Sequence, residues 1–141
     1  MGNSQSINKL NYESMQNIVN NTTSKPVFFI INTLASDNQD CLIKNTIPAN
    51  KETDQLNDKL NNDKNINIVI YGENSCDDSI IKKYNQLYKL GFTNLYVYIG
   101  GLFEWLLLQD IYSENEFPTT SKVQDFLFYK SRPLFHIPRL K

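Results

Sequence analysis

Cysteine, histidine and net charge are all scarce in this chain. Its 141 residues hold two cysteines, Cys41 and Cys76, and one histidine, His136. Two thiols are too few for a disulfide framework, so both are expected reduced. One histidine leaves no metal cluster and no Cys–His dyad to assemble, and no metal or cofactor is expected. A formal net charge of −1 excludes the global basic field of a nucleic-acid binder. Long hydrophobic runs are missing too. The longest apolar stretch, residues 102–111, is interrupted by Glu104, Gln109 and Asp110, and it falls far short of the roughly 20 apolar residues a spanning helix needs. The first residues are polar with no apolar segment behind them, so no secretory signal is read. A cytoplasmic protein is expected, in which Asn21-Thr22-Thr23 is a chance glycosylation sequon.

What is present suits one packed domain. Hydrophobic residues make up 40% and charged residues 21%, an ordinary balance for a globular core, and the length fits one domain with extensions. Residues 1–10 read as a flexible arm, 11–118 as the domain, and 119–141 as an extension. In residues 12–20, Met15, Ile18 and Val19 recur at helical spacing. Val27-Phe28-Phe29-Ile30-Ile31 is a continuous apolar run, as a strand covered on both faces requires. Residues 41–47 read as a short strand, and 51–60 as a helix buried through Leu56 and Leu60.

The second half has the stronger pattern. Ile66-Asn67-Ile68-Val69-Ile70-Tyr71 predicts a buried strand and residues 80–90 a helix, with Gly91 at a left-handed cap. Residues 95–99 predict another strand, after which Gly100-Gly101 opens a helix bearing Leu102, Phe103, Leu106 and Leu107. This alternation predicts an α/β domain with a central, mostly parallel sheet flanked by helices. Prolines at 118, 133 and 138 make the tail extended apart from a helical turn within 122–129. Its apolar Phe126, Leu127, Phe128, Phe135 and Ile137 are expected to pack back on the domain.

From the third strand onward the chain resembles the rhodanese family. The residues that carry the resemblance are Ile68-Val69-Ile70-Tyr71, the loop Gly72-Glu73-Asn74-Ser75-Cys76-Asp77-Asp78, then Gly91-Phe92-Thr93-Asn94-Leu95-Tyr96-Val97-Tyr98 and Gly100-Gly101-Leu102-Phe103-Glu104-Trp105. It is also similar to rhodanese-like proteins encoded by large DNA viruses, which would place it in an infected cytoplasm or a virion. The resemblance implies a three-layer α/β fold whose active loop follows the third strand. Gly100 and Gly101 would let the backbone turn beside that loop, and Trp105 would fill the core beneath it.

Departures from the family pattern bear on activity. In catalytic members the nucleophilic cysteine directly follows the strand, and here Gly72 stands there. Asn32-Thr33-Leu34 replaces an Asp-x-Arg, and Cys41-Leu42-Ile43-Lys44-Asn45 replaces a His-Ile-Pro-Gly-Ala turn. Cys76 lies in the loop four residues late. As a persulfide carrier it would need an electropositive cradle of N–H groups. Glu73, Asp77 and Asp78 surround it instead, and the nearest following cation is Lys82. Acids and a hydroxyl at Asp77, Asp78 and Ser79 are what a helix start favours, so the protein's own carboxylates are expected where an anion would bind. Cys41 reads as a small core residue.

The resemblance and its departures together imply a catalytically degenerate rhodanese-like domain used for binding or scaffolding of an unknown protein partner. The rival is a thiosulfate-type sulfurtransferase using Cys76. Met1-Gly2-Asn3-Ser4-Gln5-Ser6 matches the N-myristoylation pattern, with Gly2 as acceptor. One myristoyl chain binds membranes only marginally. The cations of residues 130–141, interleaved with Phe135, Ile137 and Leu140, are a candidate second signal for peripheral membrane contact.

Overall fold

A computed structural model describes residues 7–21, 27–133 and 135. Four strands make one sheet: β1 (Lys9–Leu10), β2 (Phe28–Asn32), β3 (Asn67–Tyr71) and β4 (Leu95–Tyr98), in the order β1-β4-β3-β2. Every pairing is parallel. The helices are α1 (Tyr12–Asn20), α2 (Ala49–Asn62), α3 (Ser79–Leu90) and α4 (Gly101–Ile111), followed by a 3₁₀ turn at Phe126–Tyr129.

Alternation along the strands builds two cores, because successive side chains face opposite sides of a sheet. Ile68 and Ile70 of β3 pack with Leu95, Val97 and the apolar faces of α2 and α3. Val69 and Tyr71 pack with Tyr98, α1, α4 and the tail. The chain is therefore a three-layer α/β domain with a wholly parallel sheet. Gly91 ends α3 at φ 113°, where a residue with a Cβ is strained.

Several local expectations need correction. Ile7 packs in the α2–α3 core and Asn8–Leu10 joins the sheet: Val97 N–H donates to Asn8 O at 2.8 Å, and Lys9 is in register with Val97. This part of the expected arm is docked, because β4 offers a free edge that the short segment covers. Val27, expected in a buried strand, lies outside β2 and is half exposed.

Residues 41–47 form no strand. Asn45 turns the chain at φ 72°, and the backbone is satisfied elsewhere. Ile43 bridges Thr119, Thr46 bridges Ile30, and Lys44 N–H donates to Pro118 O. The apolar side chains there are buried all the same, Cys41 among them. Ile47 N–H donates to Ile30 O at 2.8 Å, which helps cover the open edge of β2.

The tail docks only in part. Phe126 packs against the α1–α4 core and Tyr129 is buried within it, but Leu127, Phe128 and Phe135 are exposed. Burial alternates this way because residues three apart share one side of a 3₁₀ turn. Gly2, His136 and Ile137 lie outside the described residues. Among those described, no helix is long and apolar enough to cross a membrane.

Candidate functional site

The loop 72–78 leaves the C-terminal end of β3, the edge where parallel sheets place their sites. Two contacts fix its path against α4: Leu102 N–H donates to Gly72 O and Phe103 N–H to Glu73 O, each at 2.9 Å. Close approach is possible because Gly101 sits at φ 70°, and a Cβ there would lie 2.8 Å from Gly72 O and 2.9 Å from Asn74 N. Trp105 is fully buried on the α1–α4 side. Its Nε1–H donates to Pro118 O at 3.1 Å, and its ring meets Tyr98 and Phe117 edge-on. Both expectations drawn from the double glycine and the tryptophan hold, with Gly101 as the residue that turns.

Asp77 organises the interior of the loop. One carboxylate oxygen, Oδ2, accepts from Glu73 N–H at 3.0 Å. The other, Oδ1, accepts from Ser79 N–H at 3.0 Å and from the Ser79 hydroxyl at 2.5 Å. Ser79 Oγ also lies 2.7 Å from Thr33 Oγ1, which links the loop to the end of β2. Burial works against the Asp77 charge, but the bonds from Ser79, Glu73 and Thr33 outweigh it and hold the carboxyl below its usual range. Asp78 does not cap α3 with its side chain. Only its carbonyl takes part, accepting from Ile81 and Lys82. The capping expected of both acids falls to Asp77.

Gly72 is buried against this carboxylate. A Cβ at Gly72 would lie 2.5 Å from Asp77 Oδ2 and 3.0 Å from Ile80 Cγ2. Beyond it, Cys76 is exposed, and its backbone N–H donates to Asn74 Oδ1 at 2.9 Å. Asn74 reaches the other way to donate to Tyr129 O at 2.9 Å, tying the 3₁₀ turn to the loop. Ser75 is exposed beside Cys76. Glu73 is pushed up by burial and by the Asp77 charge, with Arg132 opposing.

Gly72, Glu73, Asn74, Ser75, Cys76, Asp77 and Asp78 lie in one loop, and Ser79, grouped with them on sequence grounds, is the first residue of α3. The sequence did not show the contributions of Thr33 and Tyr129, which arrive from elsewhere in the chain. The Asp77-Asp78-Ser79 spacing did carry a signal, since an aspartate often bonds the backbone two residues on. Two recesses flank the loop. One of about 380 Å³ lies between the end of β2 and α2–α3, lined by Thr33, Ser36, Lys82 and the Lys83–Glu52 ion pair. The other, about 610 Å³, lies between Glu73 and the tail residues Leu127, Phe128, Lys130, Arg132 and Pro133. Among the described residues no group of His, Cys, Asp and Glu side chains is placed to hold a metal.

A family model described as a rhodanese-like domain matches residues 13–108. Two solved structures are similar in fold. The crystal structure of the Alr3790 protein from Anabaena sp. is 20% identical, with 84% of each chain covered and a TM-score of 0.57. The solution NMR structure of the rhodanese-like domain from that protein is 19% identical, covering 94% of this chain and 93% of its own, with a TM-score of 0.55. At these identities the likeness concerns the fold alone. No match is found among curated proteins.

Proposed function

The chain belongs to the rhodanese-like domain family, and within it we propose a binding module whose active loop is closed by its own carboxylate and which transfers no sulfur. The observation that carries this reading is the position of Asp77. A persulfide sulfur or a thiosulfate oxygen at this loop would need the inward N–H groups at a helix start. Two of them, Glu73 N–H and Ser79 N–H, are bonded to the Asp77 carboxylate. A second anion would meet the negative charge of that carboxylate. Gly72 supplies no thiol, and the volume beside its Cα is filled by Asp77.

The exposure of Cys76 favours a second reading, in which its thiol carries a persulfide. A thiosulfate:cyanide sulfurtransferase assay on the wild type and Cys76→Ser separates the two. Both proteins are expected at the buffer background. A wild-type rate that disappears in Cys76→Ser would replace the binding module with the enzyme.

We further propose that Gly2 tethers the domain by N-myristoylation. The sequence pattern supports it, and Ile7, five positions beyond Gly2, is the first of the described residues to pack on the core. Co-expressed with an N-myristoyltransferase, the protein should lose Met1 and gain one myristoyl mass, and Gly2→Ala should gain none. Vesicle binding should be weak and reversible, because one chain gives an association constant of only about 10⁴ M⁻¹. Salt should weaken it further where the tail cations assist. An unmodified wild-type N-terminus would remove the tether.

A further inference from the structure

Resting on the binding-module reading, we infer that the groove between the active loop and the 3₁₀ turn is the docking site, and that its partner is an acidic peptide segment carrying an apolar side chain. The groove has a volume of about 610 Å³ and is bounded by Glu73, Leu127, Phe128, Lys130, Arg132 and Pro133. Leu127 is 53% and Phe128 64% exposed. They are large apolar side chains set beside each other on the wall of the groove. Their presentation is fixed. The 3₁₀ turn buries Tyr129 at 5% exposure and packs Phe126 on the core, which directs the two residues between them outward.

Three contacts hold that turn. Tyr129 O accepts from Asn74, Phe128 N–H donates to Asp125 O at 3.2 Å, and Lys130 N–H donates to Leu127 O at 3.1 Å. The Phe128 ring stands edge-on to Tyr129 at 5.1 Å. An apolar pair held rigid before binding loses little entropy when a partner covers it.

Charge selects the occupant. Exposed Lys130 and Arg132 stand on the tail side of the groove. A partner with carboxylates there and an apolar residue over Leu127 and Phe128 satisfies both features. The chain's own last residues suit the groove poorly, since 136–141 carry Arg139 and Lys141 and no acid. A flat lipid surface does not fill a concavity with a carboxylate, Glu73, on its wall. Glu73 would also repel an acidic partner, so removing its charge should tighten binding.

Panning random dodecapeptides on the full chain, followed by fluorescence polarisation with the leading synthetic peptide, tests this. Enriched sequences should place Asp or Glu beside Leu, Phe, Tyr or Trp. Binding should weaken about tenfold or more in the Leu127→Ser/Phe128→Ser double variant and in Arg132→Glu, as for anchors of an interface. Glu73→Gln should strengthen it a few-fold. Melting curves serve as the control, since the first three side chains are exposed.

Absence of enrichment, enrichment of basic peptides, or binding untouched by these variants would overturn the groove. Enrichment gained only when Ile137 and Leu140 are replaced by serine would assign the groove to the chain's own end. Phosphatidylserine vesicle binding lost in the same variants, without peptide binding, would assign it to a membrane. A sedimenting dimer broken by Phe128→Ser would assign it to a second copy. Peptides bound at another surface would refute the groove and leave the binding module standing. Turnover dependent on Cys76 would refute the module and leave peptide binding here to be judged on its own.

Discussion

Gly101→Ala should destabilise the domain more than any other single-methyl addition, by about 2–6 kcal/mol. Two costs combine in that figure: a non-glycine residue held in a left-handed conformation, about 1–3 kcal/mol, and overpacking against a rigid neighbour, about 1–3 kcal/mol. At φ 70° the three atoms nearest the new Cβ would all be backbone, namely Gly72 O at 2.8 Å, Asn74 N at 2.9 Å and Asn74 Cα at 3.1 Å. No side chain can swing away to relieve it. The loop must move, and the bonds from Leu102 and Phe103 to Gly72 and Glu73 move with it.

For a domain of this size the loss corresponds to a fall in Tm of about 7–20 °C. Gly91→Ala is the control. That glycine also has a positive φ, 113°, but its Cβ would meet only the flexible Lys64 side chain, at 3.3 Å and beyond. The strain remains and the backbone collision does not, so about 1–2 kcal/mol is expected. Equal melting temperatures for the two variants would show that the contact between loop and α4 is not rigid.

Legibility in the sequence followed the reach of the interactions. Helix α1 was readable to its end residues, because Met15, Ile18 and Val19 repeat at helical spacing and the face they define is the buried one. Strand β3 and helix α3 were equally plain, one as an apolar run and the other closed by Gly91. Residues 41–47 misled because apolar character reports burial and not pairing. The backbone partners of Leu42, Ile43 and Lys44, namely Thr120, Thr119 and Pro118, lie more than seventy positions downstream, and those of Thr46 and Ile47 lie in β2. Strand β1 was invisible for the opposite reason: Asn8 and Lys9 carry no strand pattern, and only the free edge of β4 recruits them.

The loop shows the same division. Its membership was local and readable, whereas the different roles of Asp77 and Asp78 depend on which carboxylate turns inward towards Glu73 N–H. Adjacent identical residues give no sign of that. Thr33 is likewise an ordinary residue in sequence, and it gains a role only because β2 ends beside the start of α3.

Restoring a cysteine at Gly72 should fail unless Asp77 is removed with it. In Gly72→Cys the Cβ would sit 2.5 Å from Asp77 Oδ2 and 3.0 Å from Ile80 Cγ2, a collision expected to cost about 1–3 kcal/mol. The thiol would also face a carboxylate already bonded to two backbone N–H groups, and a thiolate is disfavoured beside a negative charge. Asp77→Ala alone removes the acceptor for Glu73 N–H, Ser79 N–H and the Ser79 hydroxyl. Its expected cost is about 1–3 kcal/mol, held down because the site is only half-buried and water can replace part of the acceptor.

Combining the two should cost less than their sum by about 1–2 kcal/mol, since the second substitution vacates the volume the first one needs. Acid titration supplies an independent readout. The Asp77 carboxyl is held below its usual value of 3.8, so its ionised form stabilises the fold above that pH, and the stabilisation is lost as pH falls through the folded value. The stability gap between wild type and Asp77→Ala should therefore be full near neutrality and shrink below about pH 4. Sulfur transfer from thiosulfate should be absent from both single variants. It should emerge, if anywhere, in Gly72→Cys/Asp77→Ala, where a thiol at the head of the loop faces N–H groups no longer engaged by a carboxylate. Turnover in Gly72→Cys with Asp77 intact, or strictly additive stabilities, would show that this carboxylate does not close the site.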